Sequence, residues 1–400
     1  MNSNSTVKTR GQEADLVLGI AKDVVFGSNG SILQLVEKDG IDWQSFRSSI
    51  SYHGLAPFAY TSLKGYLSIL PQALSKTLEA TYYYSMAHIS GLQQKFLEIY
   101  DAFENKGIDF ISIKGVALLE DLYPEYPVRS STDVDVLVKE KDLDKAIKIL
   151  EGQGYSKNLE GLKESYWRNK QYHFVFVRDK KKGFSPIVEL HWDLDYPRYR
   201  RRILPQMFDR LRQADMQDIK VKLLSAEDTF FGLALHQRRF GIALSLRDVC
   251  DTARLLNKYK SSFDWDYVLN ESKRAKVCSA VFFALCQVKL FFSIDAPEYV
   301  WEGLNVSRWK RRMIQRFIDK NTFSQDINSK NLYLKAHFLL YDNLWEPVDY
   351  ILNIPQEQFA KFYGLSAYDK KTSLFYRYRL CYIFLKTLLN LIYSIKRRNS

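Results

Sequence analysis

The run Thr132-Asp133-Val134-Asp135-Val136-Leu137-Val138 constrains this chain more than any other segment. Its alternation is that of a β-strand, in which successive side chains point to opposite faces. Asp133 and Asp135 therefore share one face, while Val134, Val136 and Val138 share the other and need a core. Two carboxylates held side by side repel each other unless a positive group lies between them. A divalent cation resolves the conflict: Mg²⁺ (or Mn²⁺) takes oxygen ligands and keeps positions open for phosphate oxygens. The D-x-D pair alone is a weak signal, because a solvated edge strand carries the same pattern.

The residues around this run interleave strands with helices. Ile108–Ile113 reads as a short strand ending at Lys114-Gly115, and Val116–Leu122 as a short helix stopped by Pro124 and Pro127. Asp142–Glu151 is amphipathic and ends at Gly152 and Gly154. Tyr172–Arg178 and Ile187–Trp192 read as two further strands, separated by a turn-like segment, Asp179–Ser185. On either side the periodicity is helical. Asp42 reads as an N-cap before Trp43, and Tyr82–Asn105 carries apolar residues at helical spacing. After Pro205 the chain is expected to turn helical again, with Ser225 and Asp228 as a capping pair and Asp264-Trp265 opening a later helix. The expected fold class is α+β: a small mixed-sheet core at residues 96–205, a helical region at 1–95 and a helical domain at 206–400.

Two other segments add to the aspartate pair. Lys114-Gly115 closes a strand and opens a helix, where glycine permits close backbone approach and helix N–H groups favour phosphate; an ordinary turn with an exposed lysine looks the same. In Ile187-Val188-Glu189-Leu190-His191-Trp192, Glu189 and His191 share a strand face. Glu189 would supply a third carboxylate for a two-ion site, or be merely solvated. His191 reads first as a buried, hydrogen-bonded histidine. Asp193 and Asp195 fall where that strand ends and read as loop carboxylates. Asp248 and Asp251 fit helix-surface pairing with Arg247 or Arg254. His236, Arg238 and Arg239 fit a helix C-terminus, with a position at a nucleotide cleft as the alternative.

Lys114-Gly115, Leu119–Pro124, Arg129 with Thr132–Val138, and Val188-Glu189-Leu190-His191-Trp192 together resemble the motifs of an uncharacterised bacterial nucleotidyltransferase family within the polymerase-β-like superfamily. The flanks resemble it too: Asp42-Trp43 with His53–Pro57, then Leu233–His236, Arg247-Asp248 and Asp264-Trp265. The resemblance covers most of residues 40–295. It implies an enzyme that moves a nucleoside monophosphate from an NTP to an acceptor and releases pyrophosphate. It also implies that Asp133, Asp135 and Glu189 are the catalytic metal ligands. Lys114, Gly115, Arg129, Ser130 and Ser131 would bind the nucleotide, with Arg129 reaching a phosphate. Here Lys-Gly stands well ahead of Asp133, with two prolines between, whereas the superfamily usually has a Gly-Gly or Gly-Ser pair closer to the first aspartate. The acceptor is open among small molecule, protein and RNA. A non-catalytic nucleotide sensor or scaffold on the same fold is the alternative. Asp135→Asn is expected to abolish turnover with little loss of stability, on the view that the site lies at the surface.

A formal net charge of +12 fits polyanionic partners, or simply a soluble protein with an uneven surface. A plain nucleic-acid-binding protein is a further rival reading, but no helix-turn-helix, RRM or zinc module is recognisable. The four cysteines form no C-x-x-C pair, the N-terminus lacks a secretory pattern, and no stretch reaches the ~18–20 apolar residues of a membrane span. The cytoplasm is the expected compartment. Residues 375–398 are apolar and aromatic between basic clusters. They fit either a last helix docked on the core or a helix lying on the anionic inner face of the membrane.

Overall fold

The computed structural model describes residues 11–27, 32–125, 128–178, 184–196, 206–239, 245–323, 336, 338–343, 345–381 and 385. The chain divides into two compact units, Met1–Leu159 with Trp167–Asp342, and Glu160–Tyr166 with Asn343–Ser400.

The first unit is α+β. Its strands are β1 (Phe110–Ser112), β2 (Asp133–Val138), β3 (Ser156–Lys157), β4 (His173–Val177), β5 (Ile187–His191), β6 (Arg212–Met216) and β7 (Ile219–Leu223). Among the described residues they form one seven-stranded sheet in the order β3-β4-β5-β2-β1-β7-β6. β2 pairs parallel with β5 and β1 parallel with β7; the other neighbours are antiparallel. As the alternation requires, Val134, Val136 and Val138 are buried.

The expectation of purely helical chain beyond Pro205 is corrected. β6 and β7 form a hairpin there, turning at Gln217 and Asp218, whose φ angles are 47° and 66°. Two consecutive positive φ values make the two-residue turn that matches strand twist, usually signalled by Asn-Gly or Asp-Gly. Gln-Asp carries no such signal.

Helices flank the sheet. α1 (Gln12–Phe26), α2 (Ile32–Val36), α3 (Trp43–Tyr52) and α4 (Ala56–Leu63) precede the long α5 (Gln72–Glu104), which takes in the periodic segment from Tyr82 and is capped by Asn105. Asp42 caps α3 by accepting the N–H groups of Gln44 and Ser45, and Asp264 caps the helix Trp265–Ala275 by accepting that of Tyr267. α6 (Gly115–Leu122) follows β1, and α7 (Leu143–Gly152) follows β2. After the hairpin come α8 (Ala226–Arg239), where Ser225 Oγ accepts the Asp228 N–H at 3.0 Å, and α9 (Leu246–Lys258).

The second unit contains the helices Trp345–Leu352, Gln356–Tyr363 and Lys370–Arg377; Phe359 and Ala360 of the middle helix are fully buried, and the Phe359 ring lies 5.8 Å from that of Tyr376. No described helix is long and apolar enough to cross a membrane. Most of the basic, aromatic C-terminal segment, residues 382–384 and 386–400, lies outside the described residues, as do Pro127 and the turn at 179–183.

Candidate active site

The site is built from the junction of β1, β2 and β5. The β2–β5 register sets Asp133 against Ile187, Asp135 against Glu189 and Leu137 against His191. Residues opposite one another in a ladder face the same side, so Asp133, Asp135, Glu189 and His191 share one face. On the far side of β5, the antiparallel pairing with β4 sets His173 opposite His191. Beside β2, the Ile113 N–H donates to the Asp135 carbonyl at 3.2 Å, which brings the end of β1 to the same corner.

There the chain turns sharply into α6. Lys114 has φ 52° and Gly115 has φ 34°, two successive residues in the left-handed region. A side chain rarely tolerates that region, so Lys114 holds local strain of the kind found at functional sites, while Gly115 avoids it. A Cβ on Gly115 would lie 3.0 Å from Ser131 Oγ, 3.3 Å from the Asp133 carbonyl oxygen and 3.6 Å from Asp135 Oδ2. The prolines that separate Lys-Gly from Asp133 in sequence therefore do not separate them in space.

Asp135 is 4% exposed. Its Oδ1 accepts from Lys114 Nζ at 3.0 Å and lies 3.0 Å from His191 Nε2. The same imidazole nitrogen lies 3.2 Å from Glu189 Oε2, and His173 Nε2 lies 3.9 Å from Glu189 Oε1. Asp133 is partly exposed, and its Oδ1 accepts from Ser131 Oγ at 3.3 Å. Burial of Asp135 corrects the surface view of the site: replacing it disturbs a packed polar cluster.

The three carboxyls differ electrostatically. Burial, together with the charges of Asp135 and Glu189, pushes the Asp133 carboxyl up to about 7. Burial also works against ionising Asp135, but Lys114 and the His191 hydrogen bond outweigh it and hold that carboxyl below its ordinary value. Glu189 is likewise opposed by burial, yet held well below the carboxylate range by His191, His173 and Lys114. Crowding of like charges on one face drives the affinities of these acids for protons apart.

This donor set fits a divalent ion. Oxygen atoms of Asp135 and Glu189 and a nitrogen of His191 all lie within 4.8 Å of one another. Carboxylate oxygens suit Mg²⁺ or Mn²⁺, and Asp133 on the same face adds another.

Of the residues expected to bind nucleotide, Lys114, Gly115 and Ser131 meet at this corner. Ser130 is one step removed: its carbonyl accepts from Arg247 Nη1 at 3.3 Å. Arg129 has a different task from the one expected of it. It is 6% exposed, and its Nε and Nη2 donate to Asp251 Oδ1 and Oδ2 at 2.8 and 2.5 Å. Tyr123 Oη donates to the same Asp251 oxygen as Nε, at 2.7 Å. A guanidinium held in both prongs by a buried carboxylate is a structural clamp between the β2 approach and α9. Asp251 is 0% exposed, so the surface pairing expected for it is also corrected. Arg238 and Asp195 form another buried pair, and His236 Nδ1 lies 3.7 Å from Asp248 Oδ2. The side chain of Arg239 lies outside the described residues.

Two contributors escaped the sequence reading. His173 enters through strand pairing, which no local pattern reveals. Arg247 bonds the Ser130 carbonyl from α9, more than a hundred positions along the chain. Its adjacency to Asp248 was visible, but its reach to the loop was not.

A family model described as an uncharacterised nucleotidyltransferase matches residues 39–293. Among solved structures, an antigenic nucleotidyltransferase-like protein from Paracoccidioides brasiliensis is similar at 17% identity, covering 48% of this chain and 92% of its own, with a TM-score of 0.32. No curated protein matches.

Proposed function

The chain belongs to the uncharacterised nucleotidyltransferase family, and from that premise we propose that the corner formed by β1, β2 and β5 transfers a nucleoside monophosphate from an NTP to an acceptor. An oxygen of the acceptor bonds to the α-phosphorus as the bond to the bridging oxygen breaks. Pyrophosphate leaves with that electron pair, and the proton of the acceptor hydroxyl passes to solvent.

The observation that carries this reading is the register of Asp135 opposite Glu189, with Asp133 on the same face and the Gly115 backbone alongside. Asp133, Asp135 and Glu189 would hold Mg²⁺ or Mn²⁺. Bound there, divalent ions neutralise triphosphate charge and favour a nucleophilic oxygen. The protein's own part is positioning and charge. Gly115, lacking a side chain, lets a phosphate approach the N-terminal N–H groups of α6, and Lys114 adds an ammonium beside them. Arg247 steadies the Ser130-Ser131 loop beneath the site. Such catalysis is mostly orientation and electrostatic stabilisation.

The excess of basic residues supports a polyanionic or macromolecular acceptor, and salt-sensitive RNA binding would single out RNA. The test is to incubate purified protein, Mg²⁺ or Mn²⁺ and each NTP, labelled at the α or the γ phosphate, with cell extract. Relative to extract alone, the protein should add α label to an acceptor and add no γ label to it, the γ phosphate leaving in pyrophosphate. Tight NTP binding with no transfer from any NTP would instead identify a sensor or scaffold.

A further inference from the structure

Resting on that ion-binding reading, we infer that His191 is a nitrogen ligand to the ion held by Asp135 and Glu189, so that the corner prefers a transition ion of the Mn²⁺ class to Mg²⁺.

The donor atoms already have the spacing. His191 Nε2 lies 3.0 Å from Asp135 Oδ1 and 3.2 Å from Glu189 Oε2. An ion bound at ~2.0–2.2 Å to each of several ligands sets adjacent donors ~2.8–3.6 Å apart. Asp133 is absent from this set of three; its described hydrogen-bond partner is Ser131.

The imidazole is also fixed in place. Glu189 and His191 are alternate residues of β5, and the pairing with β2 aligns that strand beside Asp135. His191 is 1% exposed. The His173 ring stacks on it with centroids 4.9 Å apart and planes at 24°, and the Tyr172 ring lies at 5.6 Å. Rotating the ring out of the corner would break this packing, so Nε2 stays aimed between the two carboxylates.

Ligand chemistry then selects the ion. Mg²⁺ favours an all-oxygen octahedron and parts reluctantly with water. Imidazole suits first-row transition ions, and mixed carboxylate–imidazole sets bind them in the order Mn²⁺ < Fe²⁺ < Co²⁺ < Ni²⁺. Three protein ligands leave positions open for phosphate oxygens.

An imidazole N–H shared between the two carboxylates would make the same contacts, and one experiment separates the arrangements. The full-length protein is titrated with Mn²⁺ alone and examined by pulsed electron paramagnetic resonance. The expected result is nitrogen hyperfine coupling from a directly bound imidazole, with Mg²⁺ at equal concentration failing to displace Mn²⁺. In His191→Gln the coupling should vanish, and Mn²⁺ affinity should fall by about tenfold or more. Bound Mn²⁺ with an all-oxygen environment would overturn the inference while leaving the ion-binding reading intact. Failure of wild-type protein to bind Mn²⁺ would overturn both. His173→Phe, which should retain the coupling, assigns it to His191 even if His191→Gln folds poorly, and loss of the coupling in His173→Phe would overturn the inference.

Discussion

Asp135 on β2 stands directly opposite Glu189 on the parallel strand β5. A one-residue slip of that pairing would turn every side chain of β5 to the other face and remove Glu189 from the corner. The apolar neighbours Val188 and Leu190, both fully buried, lock the register. The same burial that stabilises the sheet thus brings two acids together.

The raised carboxyl of Asp133 makes a pH-dependent prediction. Well below the ordinary aspartate value, at about pH 3 or less, folded and unfolded chains both hold the proton and Asp133 has no differential effect. As pH rises, the unfolded chain ionises first, so the native state loses relative stability until pH passes about 7, the folded value. Above that the loss is constant. With divalent ions chelated, Asp133→Asn should therefore match wild type near pH 3 and exceed it at pH 8 by roughly 1–3 kcal/mol, less than the full shift because the site relaxes. Urea denaturation at both pH values checks this, and equal stability at pH 8 would count against a strained carboxyl.

Arg129 should matter for stability. Removing one partner of a buried ion pair leaves an uncompensated charge, at a cost of about 3–5 kcal/mol. Arg129→Met and Asp251→Leu should each destabilise by this order. The double variant should lose much less than the sum, because neither charge is stranded. Thermal melts of the cycle measure it; additive losses would contradict the clamp.

Gly115→Ala should impair nucleotide binding. The new methyl would sit 3.0 Å from Ser131 Oγ and 3.3 Å from the Asp133 carbonyl, in a backbone conformation costly for alanine. We expect a stability loss of about 1–2 kcal/mol from the positive φ alone, and a weaker apparent NTP affinity. Unchanged affinity would remove the Lys114-Gly115 turn from the phosphate side of the site.

Asp135→Asn should lose both turnover and stability. Its carboxylate accepts from Lys114 and contacts His191 while almost fully buried. Asp133→Asn should lose turnover without destabilisation, which makes it the cleaner variant. Calorimetric melting of the two variants separates these outcomes.

The central strand was legible because alternation between carboxylates and valines leaves few alternatives to a half-buried strand. The caps at Asp42 and Asp264 were legible for an equally local reason. The placement of Lys114 was not, since β1–β2 pairing, rather than spacing along the chain, carries it to Asp135. Arg129 looked available because composition does not distinguish a solvated arginine from a buried one. Its partner Asp251 lies 122 positions on. The β6–β7 hairpin was hidden by a turn made from Gln217 and Asp218, residues that adopt its backbone without advertising it.

On the proposed reading, acids from two strands bind a nucleotide through divalent ions. Calorimetric titration of NTP into the full-length protein, with Mn²⁺ or Mg²⁺ and again with chelator, tests it most directly. Binding should require the ion and disappear in a folded Asp133→Asn/Glu189→Gln variant. Equal binding in chelator, or undiminished ion-dependent binding by that variant, would contradict the account.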